Sequence, residues 1–224
     1  MQHKRLILGL GAGALAFAIG GAIAVSSMKI QRESTFLTDG PSFADLNDLT
    51  KASQAVAHVK VVSASPSYVV PFDAPVVTVA PRPTEGDKGK LEPQSAVPGV
   101  IPQDTGILHT DFTVEVLDNV RGAGLKKGDR IVVTQLGGTQ KDGTSASAEH
   151  DPLMQVGDQE ILFLRHDSHT GKFFTTGGGQ GRFKVQSNGT LSAVDSHSQL
   201  ARLETGKPAS SLKSAVQAIP DAPH

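Results

Sequence analysis

Thr110-Asp111-Phe112-Thr113-Val114-Glu115-Val116 alternates polar and apolar side chains, and beyond a turn over residues 122–128 the chain resumes as Ile131-Val132-Val133-Thr134-Gln135-Leu136. Successive side chains of a strand point to opposite faces, so Phe112, Val114 and Val116 face a core while Thr113 and Glu115 face away. Working outward, a polar loop covers 137–149, Asp151-Pro152-Leu153 opens a further turn, and Val156-Gly157-Asp158 closes it. The continuous apolar run of Glu160-Ile161-Leu162-Phe163-Leu164 predicts a strand buried on both faces. Phe173-Phe174-Thr175-Thr176 continues the meander, and Arg182-Phe183-Lys184-Val185 alternates again. Asn188-Gly189 then predicts a two-residue hairpin into Thr190-Leu191-Ser192, because both residues tolerate positive φ.

Helical periodicity appears only at the flanks. Ser42 and Asp45 have capping-box spacing, with Leu46, Leu49, Ser53 and Val56 on one face. A strand follows in which Val59 and Val61 alternate with His58 and Lys60. At the other end, Leu200 and Leu203 mark a helix ended by Gly206, and Leu212, Ala215, Val216 and Ile219 mark a second. Eight of the thirteen prolines lie between Pro66 and Pro102. Proline removes backbone donors, so residues 66–103 read as a long connection, functional or disordered, with Val76-Val77-Thr78-Val79 as its one candidate edge strand. The pattern as a whole predicts an α+β, mainly β domain over residues 42–220: a small antiparallel barrel of six to seven strands with short flanking helices, its closure removing exposed edges.

The beginning of the chain is of another kind. Met1-Gln2-His3-Lys4-Arg5 is basic, and residues 6–25 contain no charge. A cationic head with an apolar run behind it is an export signature. Twenty residues at about 1.5 Å each match the thickness of the hydrocarbon layer and favour a signal anchor. Ala22-Ile23-Ala24 is a small-x-small pattern that favours cleavage after Ala24. Either fate places the remaining chain outside the cytoplasm, as a single-pass cell-membrane protein or a secreted one, with residues 26–41 as a polar tether. Gly9 and Gly13 form a G-x-x-x-G pair, a spacing that arises by chance in a segment half Gly and Ala.

Composition excludes several classes. Without cysteine there is no disulfide, no lipid-modified N-terminal thiol and no thiolate metal site or thiol catalysis. The net charge of −1 conceals an asymmetry, since beyond residue 32 there are 17 basic against 22 acidic groups, a balance of −5. That sign disfavours nucleic acid, whose phosphates require a basic surface.

With Thr110-Asp111-Phe112-Thr113-Val114-Glu115-Val116, Leu125-Lys126-Lys127-Gly128-Asp129-Arg130-Ile131-Val132-Val133, Gly137-Gly138, Asp151-Pro152-Leu153, Gly157-Asp158-Gln159-Glu160-Ile161-Leu162-Phe163-Leu164 and Gly179-Gln180-Gly181-Arg182-Phe183, the chain resembles an uncharacterised family of exported or membrane-anchored bacterial domains. The order of these blocks is also similar to the OB-like barrel of netrin-like modules and tissue inhibitors of metalloproteinases, over roughly residues 43–194. Netrin-like modules are stapled by disulfides and the inhibitors act through an N-terminal cysteine, so protease inhibition does not carry over. The resemblance implies a barrel that binds a ligand or supports a neighbour.

Candidate chemistry is sparse. Gly177-Gly178-Gly179-Gln180-Gly181 lacks the G-K-[ST] ending of a phosphate loop, and a strand pattern follows it where a helix should stand; it reads as a tight bend or bulge. His150, His166 and His169, with Asp151 and Asp167, are the metal-ligand candidates, although their spacing matches no established motif. No G-x-S-x-G elbow is present. The Lys51/Ser53 and Lys213/Ser214 pairs fall on helices with nothing to activate them. Asp111, Glu115, Asp129, Asp151 and Asp158 lie at strand ends and turns, where such groups cap backbone. No catalytic residue and no cofactor is assigned. The sequence predicts a non-enzymatic envelope module, tethered through residues 6–25, whose partner is an envelope protein or glycan; the alternative is a metal-binding envelope protein using the three loop histidines.

Overall fold

The structure, a computed structural model, describes residues 33–36, 41–71, 106–122 and 124–220. Their order is β1 (Glu33–Phe36), α1 (Leu46–Ala52), β2 (Ala55–Ala64), β3 (Tyr68–Pro71), β4 (Gly106–Gly122), β5 (Arg130–Thr139), β6 (Ser145–Ala148), β7 (Gln159–His166), β8 (Phe173–Thr175), a 3-10 turn (Gly178–Gly181), β9 (Arg182–Val185), β10 (Leu191–Ala193), α2 (Gln199–Glu204) and α3 (Ala209–Ala218). The described residues are mainly β, and their ten strands form one mixed sheet with two parallel pairs, not the six to seven antiparallel strands expected.

β4 is the spine. Leu108, Thr110, Phe112, Val114 and Val116 are buried while their neighbours are not, the period of two legible in the sequence. It pairs antiparallel with β2 on one side and β5 on the other. β2 also pairs with β7, β7 with β8, and β8, in parallel, with β5. Strand pairing therefore runs from β2 through β4, β5, β8 and β7 back to β2. β9 and β10 extend from β7 as a hairpin with Gly189 at φ 80°, but Val185 pairs with Leu191, so five residues connect the strands and not the two-residue turn expected.

Two apolar clusters lie on opposite faces of β2 and β7. Ala57, Val59, Val61, Phe112, Val114, Leu162 and Leu164 belong to the first. Val56, Ile161, Phe163 and Phe183 belong to the second, with Leu49 from α1, Leu200 from α2, and Leu212 and Val216 from α3. This explains the unbroken apolar run of β7: a strand covered on both faces has no polar side to show. The helices answer the apolar outer face of β2 and β7, since neither element can leave such a surface in water.

Several local expectations are corrected. The cap of α1 is Asp45, whose Oδ1 accepts the Asp48 N–H at 2.9 Å, and the helix begins one residue later. Ser42 lies outside it. Glu33–Phe36, within the expected tether, pairs in parallel with β6. Tyr68–Pro71, within the proline-rich connection, pairs antiparallel with the first residues of β4, which starts at Gly106 and not at Thr110. Gly137 and Gly138 belong to β5, and the polar loop after them holds β6. Both glycines have positive φ, and a Cβ on Gly138 would collide with the Ser67 side chain, so the sequence signal of a loop is here the mark of a close crossing. In α2, Leu203 is 46% exposed, and Ala201 and Glu204 are buried beside Leu200. In α3 the buried set is Ala209, Leu212 and Val216, with Ala215 exposed. The candidate strand at 76–79, residues 6–25 and the Ala24 site lie outside the described residues. Among the described residues no helix is long and apolar enough to cross a membrane.

Candidate functional site

The polar centre of the domain is built around a buried arginine. In β9, Arg182 lies opposite Leu162 of β7, and cross-strand partners share a face, so its side chain is directed toward the first apolar cluster. It is fully buried. Nε and Nη2 donate to the two carboxylate oxygens of Glu160 at 2.9 Å each, and Nη1 donates to Asp151 Oδ1 at 2.5 Å and to the Pro152 carbonyl at 2.6 Å. Burial works against the guanidinium charge, but Glu160 and Asp151 outweigh it and raise the Arg182 pKa. Gln135 completes the network: Nε2 donates to Asp151 Oδ1 at 3.0 Å, and Oε1 accepts the Met154 N–H at 2.8 Å. A buried ion network must satisfy its members, and each nitrogen of Arg182 has at least one partner.

Asp151 connects this network to the surface. Oδ1 receives both Arg182 and Gln135, whereas Oδ2 has no partner among the described residues and faces the backbone of Gly178, where a Cβ would stand 3.4 Å away. Beyond it opens a cleft of about 310 Å³. One wall is the outer face of β5, β8 and β7, where register places Thr134 beside Phe174 and Phe174 beside Arg165. The glycine turn with Gln180, His150 and Asp151 lines the cleft as well, together with Pro41 and Asp195.

The glycine run is a bend, as its composition predicts. Gly177 and Gly178 have φ of 71° and 55°, and a Cβ on Gly179 would strike the His150 carbonyl oxygen. This close approach seats the turn directly over Asp151.

The structure separates the candidate histidines. His150 lines the cleft, its ring 5.1 Å from that of His197, which the sequence did not single out. His166 lies against Phe173 with ring centroids 4.9 Å apart, and His169, with a side chain 94% exposed, stands 3.6 Å from Asp167. Among the described residues no three His, Asp or Glu side chains are grouped to hold a metal ion. Lys213 is not a dyad member: its Nζ lies 2.9 Å from Asp118 Oδ2 and 3.2 Å from His58 Nδ1. Asp129 caps the Lys126 N–H, and Asp158 pairs with Lys184 at 2.6 Å.

A second cluster continues the outer row past Thr134. Asp111 accepts from Lys172 Nζ at 2.6 Å, Thr134 Oγ1 at 2.6 Å and Tyr68 OH at 3.1 Å, and Lys172 also lies 5.2 Å from the centre of the Tyr68 ring. Burial pushes the Asp111 carboxyl up, but these hydrogen bonds and the Lys172 charge prevail and hold it below its ordinary value. The same hydrogen bond raises Lys172.

Comparison with protein-family models, curated proteins and solved structures finds no match to this chain.

The sequence did not reveal Glu160, Arg182, Gln135 or Arg165 as a site. One signal was present: Glu160 opens an otherwise apolar run, and a carboxylate there needs a buried cation.

Proposed function

We propose that the protein is a non-enzymatic, membrane-tethered module of the cell envelope that binds a small ligand outside the cytoplasm, in a cleft on the flank of an OB-like barrel. The barrel reading is supported by the path of strand pairing that returns to β2 and by side chains from all five of its strands in the first apolar cluster. The extracytoplasmic reading is supported by the basic start and the uncharged run over residues 6–25. Binding is supported by one observation above the rest. Asp151 is fixed through Oδ1 by a buried network, while its Oδ2 has no partner among the described residues, and the residue lines a cleft whose size falls in the range of about 300 to 1,000 Å³ of small-molecule sites. Holding a carboxylate rigid beforehand lowers the entropic cost of binding.

Ligand-observed NMR on the full-length protein, with a library of polar small molecules and envelope oligosaccharides, tests the reading. A ligand bound by the wild type and lost in Asp151→Asn, at unchanged circular dichroism, supports it. The reading falls if nothing in the library binds, or if a library compound is turned over and a single substitution in the cleft abolishes that turnover. A reporter fused at His224 that lies in the cytosol overturns the location.

A further inference from the structure

The charges around the cleft specify its ligand more narrowly. Glu160 and Asp151 bring two negative charges to Arg182, which supplies one positive charge, so the network carries an uncompensated negative charge. Asp151 is only 8% exposed and lines the cleft, its unpartnered Oδ2 lying beside Gly178, which lines it too. A carboxylate so poorly hydrated attracts a cation or a strong hydrogen-bond donor.

Arg165 is the complementary feature. It lies in β7 three residues beyond Leu162, on the opposite face of the strand, and it lines the same cleft as Asp151. It forms no ion pair or hydrogen bond with any described residue. Its cross-strand partner Phe174 lies on the same face and lines the cleft with it, and Leu136 adds further apolar surface. The fork of an arginine matches a carboxylate in shape as well as charge. The cleft thus holds groups of both signs, Asp151 and Asp195 against Arg165, with Phe174 and Leu136 as hydrocarbon, and Asp151 and Arg165 form no ion pair with each other.

We infer that the cleft takes a small zwitterion of dipeptide size or less, its ammonium on Asp151 Oδ2, its carboxylate on the Arg165 guanidinium and its carbon skeleton against Phe174. The inference rests on the reading of the cleft as the ligand site. A neutral sugar would hydrogen-bond to both side chains but would leave both charges uncompensated, and a polyamine or a dicarboxylate would satisfy one end and be repelled at the other.

The test is isothermal titration of the full-length protein with alanyl-alanine, its N-acetyl derivative and its C-terminal amide. The unblocked dipeptide is expected to bind, and either blocking group should weaken binding at least tenfold. Arg165→Gln, at an exposed position where folding is not at risk, should weaken the unblocked dipeptide at least tenfold and leave the amide unchanged. If the amide binds wild type as tightly as the free dipeptide, or Arg165→Gln has no effect, the zwitterion inference is overturned. A neutral oligosaccharide bound through Asp151 and indifferent to Arg165→Gln overturns it while the binding reading survives. If neither the dipeptide nor any other compound binds, both fall together.

Discussion

Arg182 and Glu160 form a two-pronged ion pair with no solvent access to either side chain, Nε and Nη2 each 2.9 Å from a carboxylate oxygen. Around it β9, β7, the Asp151 turn and β5 are joined, and through Asp151 it reaches the cleft. The pair is therefore both a structural joint and the support of the proposed ligand anchor.

Removing the cation should be far worse than removing the whole network. Arg182→Met leaves Glu160 and Asp151 buried without a partner and should destabilise by about 3 to 5 kcal/mol, the cost of an uncompensated buried charge. Adding Glu160→Leu and Asp151→Asn should recover most of that loss. Urea unfolding of the single and triple variants measures both, and a single variant within about 1 kcal/mol of wild type would contradict the arrangement.

Asp111 should shape the acid side of the stability curve. Its carboxyl is held below its ordinary value, so its contribution is present above the unfolded value near pH 4 and is lost as pH falls through the folded value. Asp111→Asn should cost about 1 to 2 kcal/mol at pH 7 through the lost charged hydrogen bonds. The gap between the two proteins should narrow as pH falls below the unfolded value and close once the folded-state carboxyl is protonated and both carry a neutral group. Thermal unfolding from pH 2 to 7 gives the comparison, and a gap that widens toward low pH would reverse the sign argued here.

The glycines should divide into two classes. Gly189 has φ 80° with open space around a Cβ, so Gly189→Ala should cost about 1 to 2 kcal/mol in backbone strain alone. Gly179 has no positive φ, but its Cβ would meet the His150 carbonyl, so Gly179→Ala must displace the turn over Asp151. A loss of about 1 to 3 kcal/mol is expected there, of the order seen on overpacking, together with loss of ligand binding. If Gly179→Ala leaves both unchanged, the close approach of the two loops is refuted.

Leucines in the closing helices should differ according to the face they occupy. Leu212 is fully buried, and Leu212→Ala should cost about 2 to 5 kcal/mol. Leu203 is 46% exposed, and Leu203→Ala should stay within about 0.5 kcal/mol of wild type. Equal losses at the two positions would mean that α2 is turned differently on the sheet.

What the sequence by itself determined is whatever depends on neighbours along the chain. The alternation of Phe112, Val114 and Val116 marks β4, the run from Ile161 to Leu164 marks a strand covered on both sides, and Asn188-Gly189 marks the hairpin, because dihedral preference and side-chain period act over a few residues. The tertiary structure alone decided which strands pair. Tyr68–Pro71 and Ser145–Ala148 carry too little periodicity to be recognised until β4 and β5 offer them edges. It also decided that Leu203 faces out, that His150 meets His197 and not His166, and that Arg182 turns inward to Glu160 and Asp151. These contacts join residues 22 to 47 positions apart, and their energies come from burial and long-range charge, which no local pattern encodes.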